Sequence, residues 1–413
     1  MTPSGRAAVV AGAIAVAALF VPWWVAVAAL LAVAGAAVAD AVVVRTPPGV
    51  VREVPAVLAR GVPAALRLET LPAPGRVRVR QPETAELDVA DQEADGDLAT
   101  TVTARRRGRH ALPAVATRTT GPLGLAVRHA RAGEDAELLV YPDLPAARRL
   151  ATAVRRGRFR FEGRARGPIG LGTEFESIRE YAPDDDIRRV NWRATQRLGR
   201  PMTNQYRVER DRDVVCLVDC GRLMAAPLGD RTRLDAAVDA AAAVAAVADE
   251  LSDRCGAIAF DARVVRAIAP RRAGGRALVQ ALFDVEPSPV DSDYAAAFAS
   301  VGEAKRAYVL VLTDLLDDSA AKPLLAAVPS LARRHAVAVA SATDPDLERM
   351  LGDEPHARAD VYRAAIALDV VAARSRVAAE LGRRGVDVVE APPEQLAAAC
   401  VRSYLRAKAR AAI

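Results

Sequence analysis

The sequence predicts an α/β protein. A parallel sheet covered by helices on both faces follows a small all-β domain and an N-terminal pair of membrane helices. Three observations predict this. Beyond Arg212, short runs that are apolar at every position alternate with long Ala- and Leu-rich segments; the first suit strands buried on both faces, and the alternation gives a parallel sheet between helix layers. Between residues 51 and 144, apolar and polar residues alternate one by one, the mark of half-buried strands. Residues 7–44 contain a single charged residue, Asp40.

Taken in order, the apolar run 7–44 is too long for one span of about 20 residues. Pro22, Trp23 and Trp24 interrupt it; proline ends a helix and tryptophan favours the membrane interface. Two spans at about 6–21 and 24–43 are expected, giving a hairpin domain over 1–48. A cleaved signal peptide would show one apolar stretch and then a small-residue cleavage site, but a second apolar stretch follows at once. Arg6 precedes the first span, and Arg45 and Arg52 follow the second. Positive charge at both outer ends places both ends, and the domains after them, in the cytoplasm.

In 49–145, RVRVRQ, TAELDVA, LATTVTARR and AELLVYP are punctuated by LPAPG, GPLG and YPD. This spacing predicts a small β-sandwich. Residues 146–211 form a connector with a helix at LPAARRLATAV. The α/β domain is expected over 212–413: strands VVCLVD, CGAIAFD, VVRAIA, AYVLVLTD, HAVAVASA and VDVVEA, with helices at about 231–252, 274–283, 293–301, 320–334, 360–384 and 393–411.

Lys and Arg number 57 against 51 Asp and Glu, a net charge of +6. The two signs are interspersed, which describes a solvated surface and not a nucleic-acid footprint. Cys216, Cys220, Cys255 and Cys400 form no CxxC pair, a pattern that suits a reducing compartment.

Candidate chemistry lies at two places. Ligands of open α/β sheets bind beyond the carboxyl ends of the strands. Two strands end in aspartate, at Asp219 and Asp314, and Asp291, Ser292 and Asp293 open a helix between them. Three oxygen-bearing loops at one sheet end could hold a hard divalent cation; the same residues also serve as ordinary helix caps. The second place is the stretch GTEFESIREYAPDDDIRRVNWRATQRLGRPMTNQYRVERD, Gly172 to Asp211.

The C-terminal domain resembles a von Willebrand factor type A domain, a Rossmann-like fold. That family's metal-ion-dependent adhesion site is Asp-x-Ser-x-Ser, then a Thr, then an Asp. By this resemblance Asp219 is kept, Gly221 and Leu223 replace the two serines, Ser292 stands for the Thr, and Asp314 matches the last Asp. Two hydroxyl ligands are missing, so the resemblance implies weak Mg²⁺ binding at most and no other cofactor. The long stretch from Gly172, together with GPLGL (Gly121–Leu125), VYPDL (Val140–Leu144) and the membrane hairpin, resembles the bacterial domain of unknown function 58 family. Its motif residues here are Glu174, Arg179, Glu180, Tyr181, Asp185, Arg189, Trp192 and Arg193. The resemblance implies a setting built around MoxR-type AAA+ ATPases.

For the long stretch, catalysis would need an acid, a base or a metal in a pocket. His110, His129, His335 and His356 lie far from Asp184–Asp186 in sequence. A metal-dependent hydrolase could draw on Asp184–Asp186, with Glu176 and Glu180 as further ligands. A nucleic-acid clamp would need stacked aromatics, and Trp192 is the single candidate between Arg189 and Arg197. The expected reading is a charged belt. Arg179, Arg188, Arg189 and Arg193 pair with Glu174, Glu180 and the aspartates, over a packed Tyr181 and Trp192. The whole is expected to be a membrane-anchored adaptor and not an enzyme. Its type A-like rim, with exposed carboxylates at Asp219, Asp291–Asp293 and Asp314, would bind a MoxR-type ATPase; the alternative is the hydrolase.

Overall fold

The computed structural model describes residues 2–156, 174–182, 185, 187, 190–207, 212–302, 306–315, 318–352, 354 and 356–410. The chain forms two compact units, Met1–Tyr141 and Pro142–Ile413.

The first unit begins with helices α1 (Gly5–Ala17) and α2 (Trp23–Val43), which pack on each other across a break at Pro22. Helix α2 has a mean hydropathy of 2.3 and 21 residues, enough to cross a bilayer. Helix α1 has 13 residues and reaches about 20 Å at 1.5 Å per residue, short of a hydrocarbon core of about 30 Å. One apolar helix of spanning length is therefore present among the described residues, where two short spans, about 6–21 and 24–43, were expected.

The rest of this unit is antiparallel sheet with one parallel pairing. Val50–Glu53, Ala64–Thr70, Leu98–Ala104 and Leu87–Val89 form one sheet, and Ala126–Ala132, Val115–Thr120, Arg76–Arg80 and Glu93–Asp95 belong to another. Val57–Ala59, Ala136–Tyr141 and Gly108–Leu112 form a third. Alternation does what it predicts: in Leu98–Ala104, Leu98, Val102 and Ala104 are buried while Ala99 and Thr101 are exposed. Leu66 and Leu68, Val79 and Val115, and Leu112, Leu138 and Val140 meet in one core drawn from all three sheets.

The second unit opens with α3 (Leu144–Arg155), capped by Asp143, and a short hairpin, Glu174–Glu180 against Met202–Arg207, that carries α4 (Trp192–Leu198) between its arms. A six-stranded sheet follows: β1 (Asp213–Asp219), β2 (Arg254–Phe260), β3 (Val264–Arg272), β4 (Tyr308–Leu312), β5 (Ala336–Ala342) and β6 (Asp387–Ala391). Its order is β3-β2-β1-β4-β5-β6, parallel throughout except for β3. Only residues 261–263 join β2 to β3. A parallel crossover needs a dozen residues or more, so this pair must be a hairpin.

The helices are α5 (Arg233–Glu250), α6 (Gly275–Leu282), α7 (Tyr294–Ala299), α8 (Asp318–Ala332), α9 (Pro345–Gly352), α10 (Arg358–Arg383) and α11 (Pro393–Ala409). Val215, Leu217, Ile258, Phe260, Val309, Val311 and Val339 face α7, α8 and α10 in one core. Helices α5, α6 and α11 pack on the strands from the other side, with α3 laid over α5. Helix α5 starts at a Thr232–Asp235 capping box and is buried at nearly every position from Arg233 to Ala248. Its alanines allow neighbours to approach on all sides, and with few aromatics in the chain such close packing supplies the core. The four cysteines are free and buried.

His335 precedes β5 and is 4% exposed. Its Nδ1 accepts the Ala307 N–H at 3.2 Å. Burial, then the charges of Arg334 and Arg306, hold its pKa below the usual 6.5. A lowered folded pKa means the unfolded chain binds the extra proton first, so this group's contribution is intact above 6.5 and is lost as pH falls through the window beneath it. Unfolding followed from pH 7 to 5 is expected to show this slope, and His335→Gln to flatten it; an unchanged slope would remove His335 from the account.

Candidate functional site

The carboxyl ends of β1 and β4 lie side by side at the centre of the sheet. Later strands extend from β4 in one direction and β2 and β3 from β1 in the other, so a crevice is expected at their junction. Asp219 ends β1 and is 2% exposed. Its Oδ1 accepts Ser292 Oγ at 2.5 Å and the Gly221 N–H at 2.8 Å. Its Oδ2 accepts Tyr294 Oη at 2.8 Å and Thr313 Oγ1 at 2.6 Å. A carboxylate offers about four lone-pair sites, and here all four are taken by protein donors. Burial, followed by the Asp219 charge, pushes the Tyr294 phenol well above its ordinary value, so it stays a donor. Phe260 and Phe298 pack edge-on against its ring.

Asp314 is 5% exposed and is held by cations. Arg233 Nη1 and Arg374 Nη2 each donate to Oδ1 at 3.0 Å, and Ser341 Oγ donates at 3.3 Å. Both guanidinium groups also bond the Ala342 carbonyl at the end of β5. Arg233 comes from the first turn of α5 and Arg374 from the middle of α10, so one carboxylate ties together helices from the two faces of the sheet. Burial, only partly offset by Asp314, lowers the Arg233 pKa from its ordinary value. Asp344 at 3.7 Å from Arg233 and Glu390 at 3.8 Å from Arg374 supply the remaining negative charge.

The structure thus unites Asp219 with Ser292, as the spacing predicted, but corrects the expected exposure of the rim. Asp219 and Asp314 are buried and bonded, because each caps a strand end that the helices cover. Of the expected rim acids Asp291 and Asp293 are exposed; Asp291 pairs with Arg222 and Asp293 caps α7 through the Ala296 N–H. The donor set does not suit a divalent cation. Asp219 has no oxygen to spare, Gly221 and Leu223 offer none, and two guanidinium groups stand beside Asp314. A Cβ on Gly221 would lie 2.2 Å from Ser292 Oγ, so a serine at 221 cannot simply be restored while Ser292 holds its place. Among the described residues no group of three or more His, Cys, Asp or Glu gathers as a metal site. Beside this edge, Asp291–Ala295 from the start of α7 and Pro323, Ala326 and Ala327 of α8 line a shallow concavity of about 590 Å³.

The motif hairpin pairs one of the expected arginines with an aspartate and departs from the expected belt at Trp192. Arg179 clasps Asp185 in a bidentate pair at 2.6 and 2.8 Å, and the Ala182 N–H donates to the same carboxylate at 2.8 Å. Tyr181 Oη donates to the Asp185 carbonyl at 3.0 Å. Asp185 therefore serves as the knot of a turn. Glu180 meets Arg200 at 3.4 Å. Glu174 begins the first arm, opposite Arg207. Asn191 caps α4 through the Ala194 N–H. Trp192, expected to pack beneath the belt, is instead 68% exposed, and Arg193 beside it is exposed too. As the first residue of a two-turn helix it projects from a hairpin with little core of its own. Asp184, Asp186, Arg188 and Arg189 lie outside the described residues. Arg233 and Arg374 were missed in the sequence: α5 and α10 each carry several other charged residues, so no local signal marks these two.

Residues 177–357 match the family model described as Protein of unknown function DUF58. The match begins within the first arm of the motif hairpin and takes in Asp219, Ser292 and Asp314. No curated protein matches the chain.

Proposed function

We propose, from that match to the DUF58 family as premise, that this chain is a membrane-anchored adaptor whose second unit is a von Willebrand factor type A-like domain that binds a protein partner. The sheet order β3-β2-β1-β4-β5-β6 with an antiparallel β3, and Asp219, Ser292 and Asp314 at one edge, support the type A reading. The membrane reading has α1 and α2 as a hairpin anchored by α2, with both ends in the cytoplasm on the strength of Arg6, Arg45 and Arg52. The partner class is a MoxR-type AAA+ ATPase.

One observation carries the adaptor reading over a hydrolase. Among the described residues, Asp185 is engaged by Arg179, and Asp219 and Asp314 by buried donors, while Trp192 stands exposed in the motif. Tryptophan and arginine are enriched where interfaces concentrate their binding energy, and Trp192 has Arg193, Arg197, Ile187 and Leu198 exposed near it in sequence. Affinity capture from membranes, with identification of what co-purifies, tests the reading. An AAA+ ATPase recovered in stoichiometric amount supports it; hydrolysis of a phosphoester by the purified chain, lost on Asp185→Asn, would replace it with the hydrolase.

The same reading predicts little Mg²⁺ response. A ligand selective for the folded state raises its melting temperature, so millimolar Mg²⁺ is expected to leave the melt unchanged. A rise of several degrees that Asp219→Asn removes would show that a cation displaces Ser292 and Tyr294 from Asp219.

A further inference from the structure

The foot of the two N-terminal helices is built around one tight loop. Thr2 and Pro3 pair with Val127 and Ala126. The Ser4 N–H donates to the Leu125 carbonyl at 2.8 Å, and Ser4 Oγ donates to the Gly124 carbonyl at 2.5 Å. In the last turn of α2, Asp40 is 2% exposed and accepts the N–H groups of Leu123, Leu125 and Ala126 at 2.9, 2.8 and 2.9 Å. The loop is therefore bonded to the entry of α1 and the exit of α2 at once. Gly121 is required because a Cβ there would overlap the Asp40 carboxylate at 2.2 Å, and Gly124 because its φ is +70°.

This clasp leaves a specific surface. Leu123, at the loop tip, is 58% exposed. Arg6 Nη1 lies 3.2 Å from the position a Cβ on Gly124 would take. The Arg128 guanidinium donates to the Arg45 carbonyl, and its Nε is buried with no hydrogen-bond partner. Arg6 and Arg45 are exposed. None of the three arginines has a carboxylate partner among the described residues, and Asp40, at the foot, is buried and holds three backbone donors. These three guanidinium groups thus lie on the segments that meet the loop carrying Leu123, at the end of α2.

We propose that Arg6, Arg45 and Arg128 form a collar that binds headgroup phosphates of anionic phospholipids in the membrane α2 crosses, with Leu123 seated among the outer methylenes. The proposal rests on the membrane-anchored reading above. Guanidinium groups match phosphate oxygens in forked pairs, and basic residues next to a span are drawn to anionic lipid. What exceeds simple charge bias is the fixed placement. Arg128 comes from a strand of the folded domain, so the headgroup would bridge that domain to the helix ends.

The test uses the full chain. Its membranes are first washed with alkaline carbonate, and the detergent-solubilised protein is then offered phosphatidylglycerol and phosphatidylcholine and analysed by native mass spectrometry. Phosphatidylglycerol is expected to be retained preferentially. Arg128→Gln is expected to lower that preference about fivefold, since each basic residue near the surface contributes about that factor, and Arg128→Lys to keep most of it. Equal retention of both lipids by the unaltered chain overturns the collar, as does a preference unmoved by Arg128→Gln in protein of unchanged melting temperature. Competition by soluble glycerol phosphate as effective as the lipid overturns it too, in favour of a free-phosphate site. A chain stripped by the carbonate wash refutes the membrane-anchored reading itself; a chain that stays but shows no lipid preference refutes the collar alone.

Discussion

Asp314→Ala is expected to destabilise the protein by about 3–5 kcal/mol, the usual effect of removing one partner from a buried ion pair. The carboxylate lies between Arg233 and Arg374, 6% and 4% exposed, both bonded to it at 3.0 Å. Without it, two like charges remain buried side by side, with Asp344 and Glu390 only at 3.7 and 3.8 Å. The guanidinium groups also hold α5 and α10 to the end of β5, so the loss acts on both faces of the sheet. At about 2–4 °C per kcal/mol for a domain of 150–250 residues, the melting midpoint should fall by about 6–20 °C. Asp314→Asn keeps the shape and one acceptor and should lie between. Replacing all three, as Asp314→Leu with Arg233→Met and Arg374→Met, should recover most of the loss, because the penalty comes from the orphaned charges and not from the missing attraction. A midpoint within two degrees of wild type for Asp314→Ala would show that this ion cluster does not hold the helix layers.

Trp192→Ala should do the reverse: leave the melt within about 0.5 kcal/mol, as for surface substitutions generally, yet reduce partner capture about 30-fold or more. An interface tryptophan at a hot spot is worth 2 kcal/mol or more on truncation, and 1.4 kcal/mol is a factor of ten in affinity. The reasoning that the sequence invited, in which Trp192 fills a core and its loss opens a cavity, gives the opposite pair of results. Capture from membranes by the two proteins side by side, with a thermal melt of each, separates them. Unchanged capture places the interface elsewhere, with Asp291 and Arg222 at the rim the next surface to alter.

How legible the fold was depended on the range of the signal. The strand VVCLVD and its partners announce themselves because burial on both faces demands an apolar residue at every position, and helices α5, α6, α10 and α11 fall within three residues of where composition and periodicity put them. The reversed β3 was readable only by counting the short connection after β2. Helix α9, the hairpin around α4 and the boundary between 141 and 142 gave weaker signals, since short elements rest on contacts distant in sequence.

By itself the sequence determined the alternation of strands and helices, the apolar α2, and the meeting of Asp219, Ser292 and Asp314 at one sheet end, because local periodicity and chain order suffice for these. Only the tertiary structure decided what those acids do. Asp219 is saturated by hydroxyls from α7 and the end of β4, Asp314 by arginines from two helices, Asp185 by Arg179, and Asp40 by a loop some eighty residues away. A carboxylate's role depends on which donors reach it and how much water is left, and in a folded chain most of those donors come from residues far along the sequence.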